Sequence, residues 1–199
     1  DFLEAVHHFE AQSARDAAVE MSGALKTTAV SLTKISNDIR WLSSGPRCGL
    51  GEIQIPSLQP GSSIMPGKVN PVIPESVLQI AAQVMGNDLT ITLAGQGGNF
   101  ELNVMMPVIA YNLLQSISIL SIGARSLAEK CILGIKADME RCAFYLDKSL
   151  ALATYLVPQL GYDTAAAISN KAHVSGKRIA DVVLEEGLLT QEELDKLIR

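Results

Sequence analysis

The chain has 199 residues, with 16 Lys and Arg against 21 Asp and Glu for a net charge of −5; that is enough for one domain, or one and a half, with a sizeable core. No basic block interleaved with aromatics occurs, which excludes nucleic acid as a partner. Charged residues are 19% and hydrophobic residues 48% of the chain, and the mean hydropathy is +0.23, more apolar than a small soluble monomer needs, so a membrane or a large subunit interface must cover the excess. The one candidate span is the uncharged stretch 102–124. It carries Asn103, Pro107, Asn112, Gln115, Ser116, Ser118 and Ser121 and no flanking Lys/Arg cluster, so a membrane is rejected in favour of a buried helix in an oligomeric bundle. Cys48, Cys131 and Cys142 form no CxxC pair and are odd in number, which points to neither zinc nor a disulfide framework and fits a reduced, cytoplasmic setting. The opening at Asp1, without Met or a signal-like segment, reads as a cut in a longer chain.

In chain order, Ala18, Met21, Leu25, Ala29, Leu32, Ile35, Ile39 and Leu42 keep three-four spacing, which predicts a long packed helix ending at Ser43-Ser44-Gly45-Pro46. Gly, Pro and Ser then dominate from 45 to 74, with prolines at 46, 56, 60, 66, 71 and 74. A connector of that length in a compact domain implies a function. A second helix is expected from Pro74 or Glu75 to Leu93, stopped by Gly95-Gln96-Gly97-Gly98. The third carries Met106, Ile109, Leu113, Ile117, Leu120, Ala124, Leu127 and Cys131 on one stripe and is apolar nearly all round, with Pro107 either kinking it or marking its first turn. After Gly134 the helices shorten and charge rises, and Thr190-Gln191-Glu192-Glu193 forms a capping box for a last short helix. No strand-type alternation or internal repeat appears, so the fold class is all-α. We divide it into a helical bundle over 1–136, bearing the loop 45–74, and a small helical C-terminal domain over 137–199.

Chemistry concentrates in Gly61-Ser62-Ser63-Ile64-Met65-Pro66-Gly67-Lys68-Val69-Asn70-Pro71. Two hydroxyls, one ammonium and one amide in a Gly-rich turn suit the gripping and deprotonation of a carboxylate substrate. The ammonium neutralises charge as it develops, and amide and backbone donors fix orientation. A serine acts as base only where its alkoxide is stabilised by such donors. On these residues alone a plain connector fits equally well. His7, His8 and His173 lack metal-ligand spacing and are expected at the surface or in packing. Arg47 is expected to pin its loop to a nearby carboxylate or carbonyl. Asn37, Asp38 and Arg40 are expected to pair between helices, and Asn99, Glu101 and Asn103 to cap helices or line a site.

The segment 61–71 resembles the signature loop of the fumarase/aspartase superfamily. Gly45-Pro46-Arg47-Cys48-Gly49-Leu50-Gly51-Glu52-Ile53 and Gly98-Asn99-Phe100-Glu101-Leu102-Asn103-Val104 are similar to class II fumarases, and the likeness spans the chain as the C-terminal portion of a longer one. Val72-Ile73-Pro74-Glu75 instead resembles aspartate ammonia-lyase wording. The resemblance implies a lyase without cofactor or metal that interconverts malate and fumarate in the tricarboxylic acid cycle, in the cytoplasm or, in a eukaryote, the mitochondrial matrix. It implies Ser62 as the base that takes the C3 proton of malate. Lys68 and Asn70 would hold the carboxylate that receives the charge, Ser63 would bind substrate beside them, and Glu75 would pair with a catalytic His. That His belongs to an earlier segment absent from this sequence. The site would be shared among subunits of a homotetramer, leaving this chain inactive alone. A helical oligomerisation module without catalysis is the alternative of a different class.

Overall fold

The computed structural model describes residues 3–59, 61 and 64–198, with only the backbone of Ile198; Ser62 and Ser63 lie outside the described residues. The chain divides into two compact units, one ending at Lys136 and the other starting at Ala137.

In the first unit, α1 (His8–Ser13) is capped by His7, whose Nδ1 accepts the Glu10 N–H at 3.2 Å. Helix α2 (Asp16–Leu42) runs for 27 residues. Its buried Ser22, Ala29 and Ser36 recur every seven positions, a seam of small side chains that lets neighbouring helices approach closely. Its exposed Thr27, Thr28 and Ser31 satisfy their hydroxyls on the carbonyl one turn back, as Ser and Thr do within helices. Helix α3 (Val72–Gly95) returns, and α4 (Met106–Lys130) runs back again. Three apolar clusters record this alternation. Ile91, Ala94 and Ile109 pack with Ala18 and Val19 at one end. Ala29, Ala81, Val84 and Leu120 fill the middle. Ile39, Val77, Leu127 and Cys131 close the other end with Ile53, Ile55 and Ile73. Each large side chain so buried contributes roughly 1.5–3 kcal/mol.

Polar groups inside the bundle tie its helices together, although the fully buried Ser36 Oγ has no hydrogen-bond partner among the described residues. Asp88, 5% exposed, accepts from Ser22 Oγ at 2.8 Å and Lys26 Nζ at 2.5 Å, joining α2 to α3. Asn87 Nδ2 donates to Gln115 Oε1 and Ser116 Oγ, both at 2.9 Å, joining α3 to α4. Gly123 belongs to the same contact, because a Cβ there would sit 2.8 Å from Ile80 Cδ1. By length and composition alone, 106–134 is apolar enough to cross a membrane.

In the second unit, α5 (Met139–Lys148) is capped by Asp138, which accepts the Arg141 N–H at 2.9 Å. A 3₁₀ segment, Leu150–Leu156, leads into α6 (Val157–Leu160), α7 (Tyr162–Ser175), α8 (Ile179–Glu185) and α9 (Gln191–Ile198). Leu152, Leu156, Ile168, Ile179, Val182 and Leu194 are buried in a core of this unit's own.

The fold is all-α, as read from the sequence, apart from β1 (Ile53–Gln54) and β2 (Lys136–Ala137), two-residue strands that pair with each other. Two local expectations are corrected and one open alternative is resolved. Helix α3 starts at Val72, because Pro74 lies within the first turn, where its missing N–H has no intrahelical acceptor to lose. Asn37, Asp38 and Arg40 do not bridge helices: Arg40 Nη1 donates to Asn37 Oδ1 at 3.0 Å and Asp38 pairs with Lys34, all within α2. Pro107 occupies the first turn of α4.

Candidate active site

The end of the bundle closed by Ile39, Val77 and Leu127 carries the long connector. As α2 ends, the chain folds back: the Glu52 N–H donates to the Leu42 carbonyl at 2.9 Å and the Leu50 N–H to Ser44 Oγ at 3.1 Å. Gly49 lies against Ser44, and a Cβ at 49 would fall 2.4 Å from the Ser44 carbonyl carbon. Arg47 is exposed and makes no ion pair among the described residues.

Beyond β1 the chain reaches Gly61. A Cβ there would lie 3.1 Å from the Lys68 carbonyl oxygen and 3.2 Å from the Gly67 nitrogen. The two sides of the loop therefore touch through their backbones at Gly61 and Gly67–Lys68. The chain returns through a turn in which the Lys68 N–H donates to the Met65 carbonyl at 3.2 Å and Gly67 has φ +79°. Pro66 and Gly67 are the central residues, with Pro supplying its fixed φ and Gly the positive φ that a type II turn demands. Lys68 leaves this turn exposed, without an ion pair among the described residues. Asn70 is half-buried and lines a cavity of about 10 Å³ with Ile55, Pro56, Ile73 and Cys131, room for about one water. Burial pushes the Cys131 thiol pKa up, so it stays protonated.

Helix α3 starts directly behind. The Val72 N–H donates to the Asn70 carbonyl at 2.9 Å and the Glu75 N–H to the Pro71 carbonyl at 3.0 Å. Glu75 is half-buried in the first helical turn, where the helix dipole favours a carboxylate. The structure thus gathers Lys68, Asn70 and Glu75 at one end of the bundle, on a turn, its stem and the helix it launches. The shape-setting residues Gly61 and Gly67 carry no chemistry and were not singled out from sequence, although the Pro66-Gly67 pair is a turn signal in itself.

Asn99, Glu101 and Asn103 lie at the other end of α3, a helix of 24 residues spanning about 36 Å at 1.5 Å per residue, so within one chain they do not join Lys68. Asn103 is a cap: 3% exposed, it donates to the Ala94 and Gly95 carbonyls at 3.2 and 3.3 Å and accepts the Met105 N–H at 2.9 Å. Asn99 donates to the Gly97 carbonyl. His7, His8 and His173 are exposed, and no group of three His, Cys, Asp or Glu side chains suited to a metal occurs among the described residues.

Two family models match the chain, one described as lyase over residues 3–86 and one as the C-terminus of fumarase C over residues 152–199. A class II fumarate hydratase from Neisseria meningitidis is 55% identical over 99% of this chain and 43% of its own length. An aspartate ammonia-lyase from a Bacillus species is 48% identical over 98% of the chain and 42% of its own. The crystal structure of a class II fumarase from Schistosoma mansoni superposes with a TM-score of 0.93 at 41% identity, covering all of this chain and 41% of that one. The chain spans about two-fifths of the length of the relatives it matches.

Proposed function

Because this chain belongs to the fumarase family of lyases, we propose that it is the signature-loop portion of a fumarate hydratase, which interconverts L-malate and fumarate. The observation that carries the reading is the 55% identity to a class II fumarate hydratase across 99% of the chain, with Lys68 presented on an exposed turn.

In the dehydration direction, Ser62 as alkoxide takes the C3 proton of malate. The C–H electron pair moves into the adjoining carboxylate, giving an aci-carboxylate dianion, and collapse of that dianion expels the C2 hydroxyl, which takes a proton from solvent and leaves as water, while Ser62 passes the C3 proton to solvent and returns to the alkoxide. Fumarate remains. The C3 proton is only weakly acidic, so stabilising the dianion is the demanding step. The Lys68 ammonium and the Asn70 amide are fixed charges and dipoles at the carboxylate that receives the electrons, and such preorganised groups supply the largest share of catalysis. Ser63 holds substrate beside them. Glu75 pairs with the catalytic His that another part of the enzyme provides.

The site is completed by other chains of a homotetramer. Exposed large apolar side chains on α4, Tyr111, Leu114 and Ile122 among them, leave surface for the rest of such an assembly to cover. We place the enzyme in the cytoplasm, on the tricarboxylic acid cycle. Aspartate ammonia-lyase is the second reading, favoured by the 48% identical Bacillus relative and by Val72-Ile73-Pro74-Glu75.

Substitution of Lys68 tests the role of the loop. In enzyme reconstituted from this chain and the portion of a fumarate hydratase relative that it does not span, Lys68→Ala abolishes malate dehydration and leaves the assembled mass unchanged. Survival of activity removes the loop from catalysis, and loss of both activity and assembly makes it structural.

A further inference from the structure

The C-terminal end of α4 lies against the stem of the loop. The helix stops at Lys130 and tightens into a 3₁₀ turn, Ile132–Gly134, in which the Gly134 N–H donates to the Cys131 carbonyl at 3.1 Å and the Ile135 N–H to the Ile132 carbonyl at 3.2 Å. Cys131, before the turn, is buried with Ile39, Val77 and Leu127, and Ile135, after it, packs on that cluster, as Ile53, Ile55 and Ile73 do on either side of the loop. The turn is thus pinned at both ends. Gly134 sits on Pro56: a Cβ at 134 would lie 2.4 Å from Pro56 Cγ and 3.4 Å from its Cδ. The backbone of Gly134 has no positive φ to require a glycine, so it is the approach of the proline ring that leaves no room for a side chain. Pro56 in turn shares the cavity of about 10 Å³ with Asn70 and Cys131, which holds no more than about one water.

We infer that Gly134 is a positioning residue for Asn70. The bare α-carbon at 134 lets Pro56 seat against the turn, and the seated ring forms the wall of the cavity that Asn70 faces. Ordinary contact begins at about 3.4 Å, so a methyl group at 134 drives the turn and the ring apart by about 1 Å. The turn is held by its hydrogen bonds and by the buried cluster, and the proline ring is rigid. With room for only about one water between its walls, the cavity cannot absorb the movement, and Asn70 shifts with the ring. A misplacement of about 1 Å, even when it originates away from the chemistry, costs up to about 100-fold in rate. Asn70 meets the substrate carboxylate as charge develops on it, so the loss falls on kcat more than on KM. Gly134 itself is exposed, so its substitution leaves the buried cluster intact. The inference rests on the role proposed above for Asn70 and adds the residue that sets its place.

Steady-state kinetics of the reconstituted enzyme test it. Gly134→Ala is expected to assemble to the unsubstituted mass with kcat for malate lowered about 100-fold and KM little changed. Pro56→Ala in the same chain removes Cγ and Cδ and keeps Cβ, which lies 3.6 Å from a Cβ at 134, an ordinary contact. The double variant Gly134→Ala/Pro56→Ala is therefore expected to regain most of kcat, the non-additivity of two residues in contact. Full kcat in Gly134→Ala overturns the inference, and so does a loss that the second substitution fails to recover. Loss of assembly by Gly134→Ala assigns the position to structure and overturns it as well. Fumarate from aspartate only, in the unsubstituted enzyme, overturns the malate reading instead, and the same loss and recovery of kcat with aspartate then decide the role of Gly134.

Discussion

Lys68 reaches solvent because Pro66 and Gly67 turn the chain beneath it. The positive φ of Gly67 costs an L-residue about 1–2 kcal/mol, which Asn tolerates better than most, and that cost corresponds to a factor of about 5–30 in an equilibrium. Gly67→Ala is therefore expected to lower the activity of reconstituted enzyme by about 5–30-fold and Gly67→Asn to retain most of it, read from initial rates with malate. Among the described residues nothing lies within 4 Å of a Cβ at 67, so the expected effect is conformational. Asp88 tests the bundle independently of the loop. Its carboxylate is buried on Ser22 and Lys26, and Asp88→Ala strands the Ser22 hydroxyl. Loss of hydrogen bonds to a charged group costs about 1–3 kcal/mol, measurable as a lower urea midpoint with an unchanged slope.

Among the elements, α9 is the one whose start was legible to the residue. Thr190 donates its N–H to Glu193 Oε2 at 2.8 Å and its Oγ1 accepts the Glu193 N–H at 3.3 Å, the reciprocal box that the sequence predicts. The Thr190 backbone N–H, and then its hydroxyl, hold the Glu193 carboxyl below its ordinary 4.5. A depressed carboxyl pKa stabilises the fold fully above the unfolded value, and that contribution is lost as pH falls through the folded one. The second unit is thus expected to lose thermal stability on acidification below about pH 4.5 in part through this cap, and Glu193→Gln to make that loss shallower. The long helices were legible because α2 and α4 keep their apolar spacing throughout. The first two residues of α3 were not, since Pro74 reads as a start signal anywhere in the first turn. β1 and β2 are too short for any alternation to register. Asn37 and Arg40 misled because spacing alone does not say whether a polar pair closes within a helix or across two.

At the scale of the whole molecule, the bundle leaves apolar side chains of α4, Tyr111, Leu114 and Ile122, in solvent, consistent with the hydropathy that set the sequence apart at the outset. The site is divided in the same way. The residues of 61–71 pointed to carboxylate chemistry in general terms, but the roles of Ser62, Ser63 and Glu75 came from family resemblance, because chemistry completed by distant segments leaves no spacing to read. Lys68 and Asn70 were recognisable as charge and amide, and only the folded turn shows how Gly61 and Gly67 carry them. The measurement that bears most directly on the central claim is fumarate absorbance when this chain is combined with the portion of a fumarate hydratase relative that it does not span and given L-malate or, separately, L-aspartate. The account predicts fumarate from malate, none from aspartate, and none from malate with the chain alone. Fumarate from aspartate only, or malate turnover by the unaided chain, would contradict it.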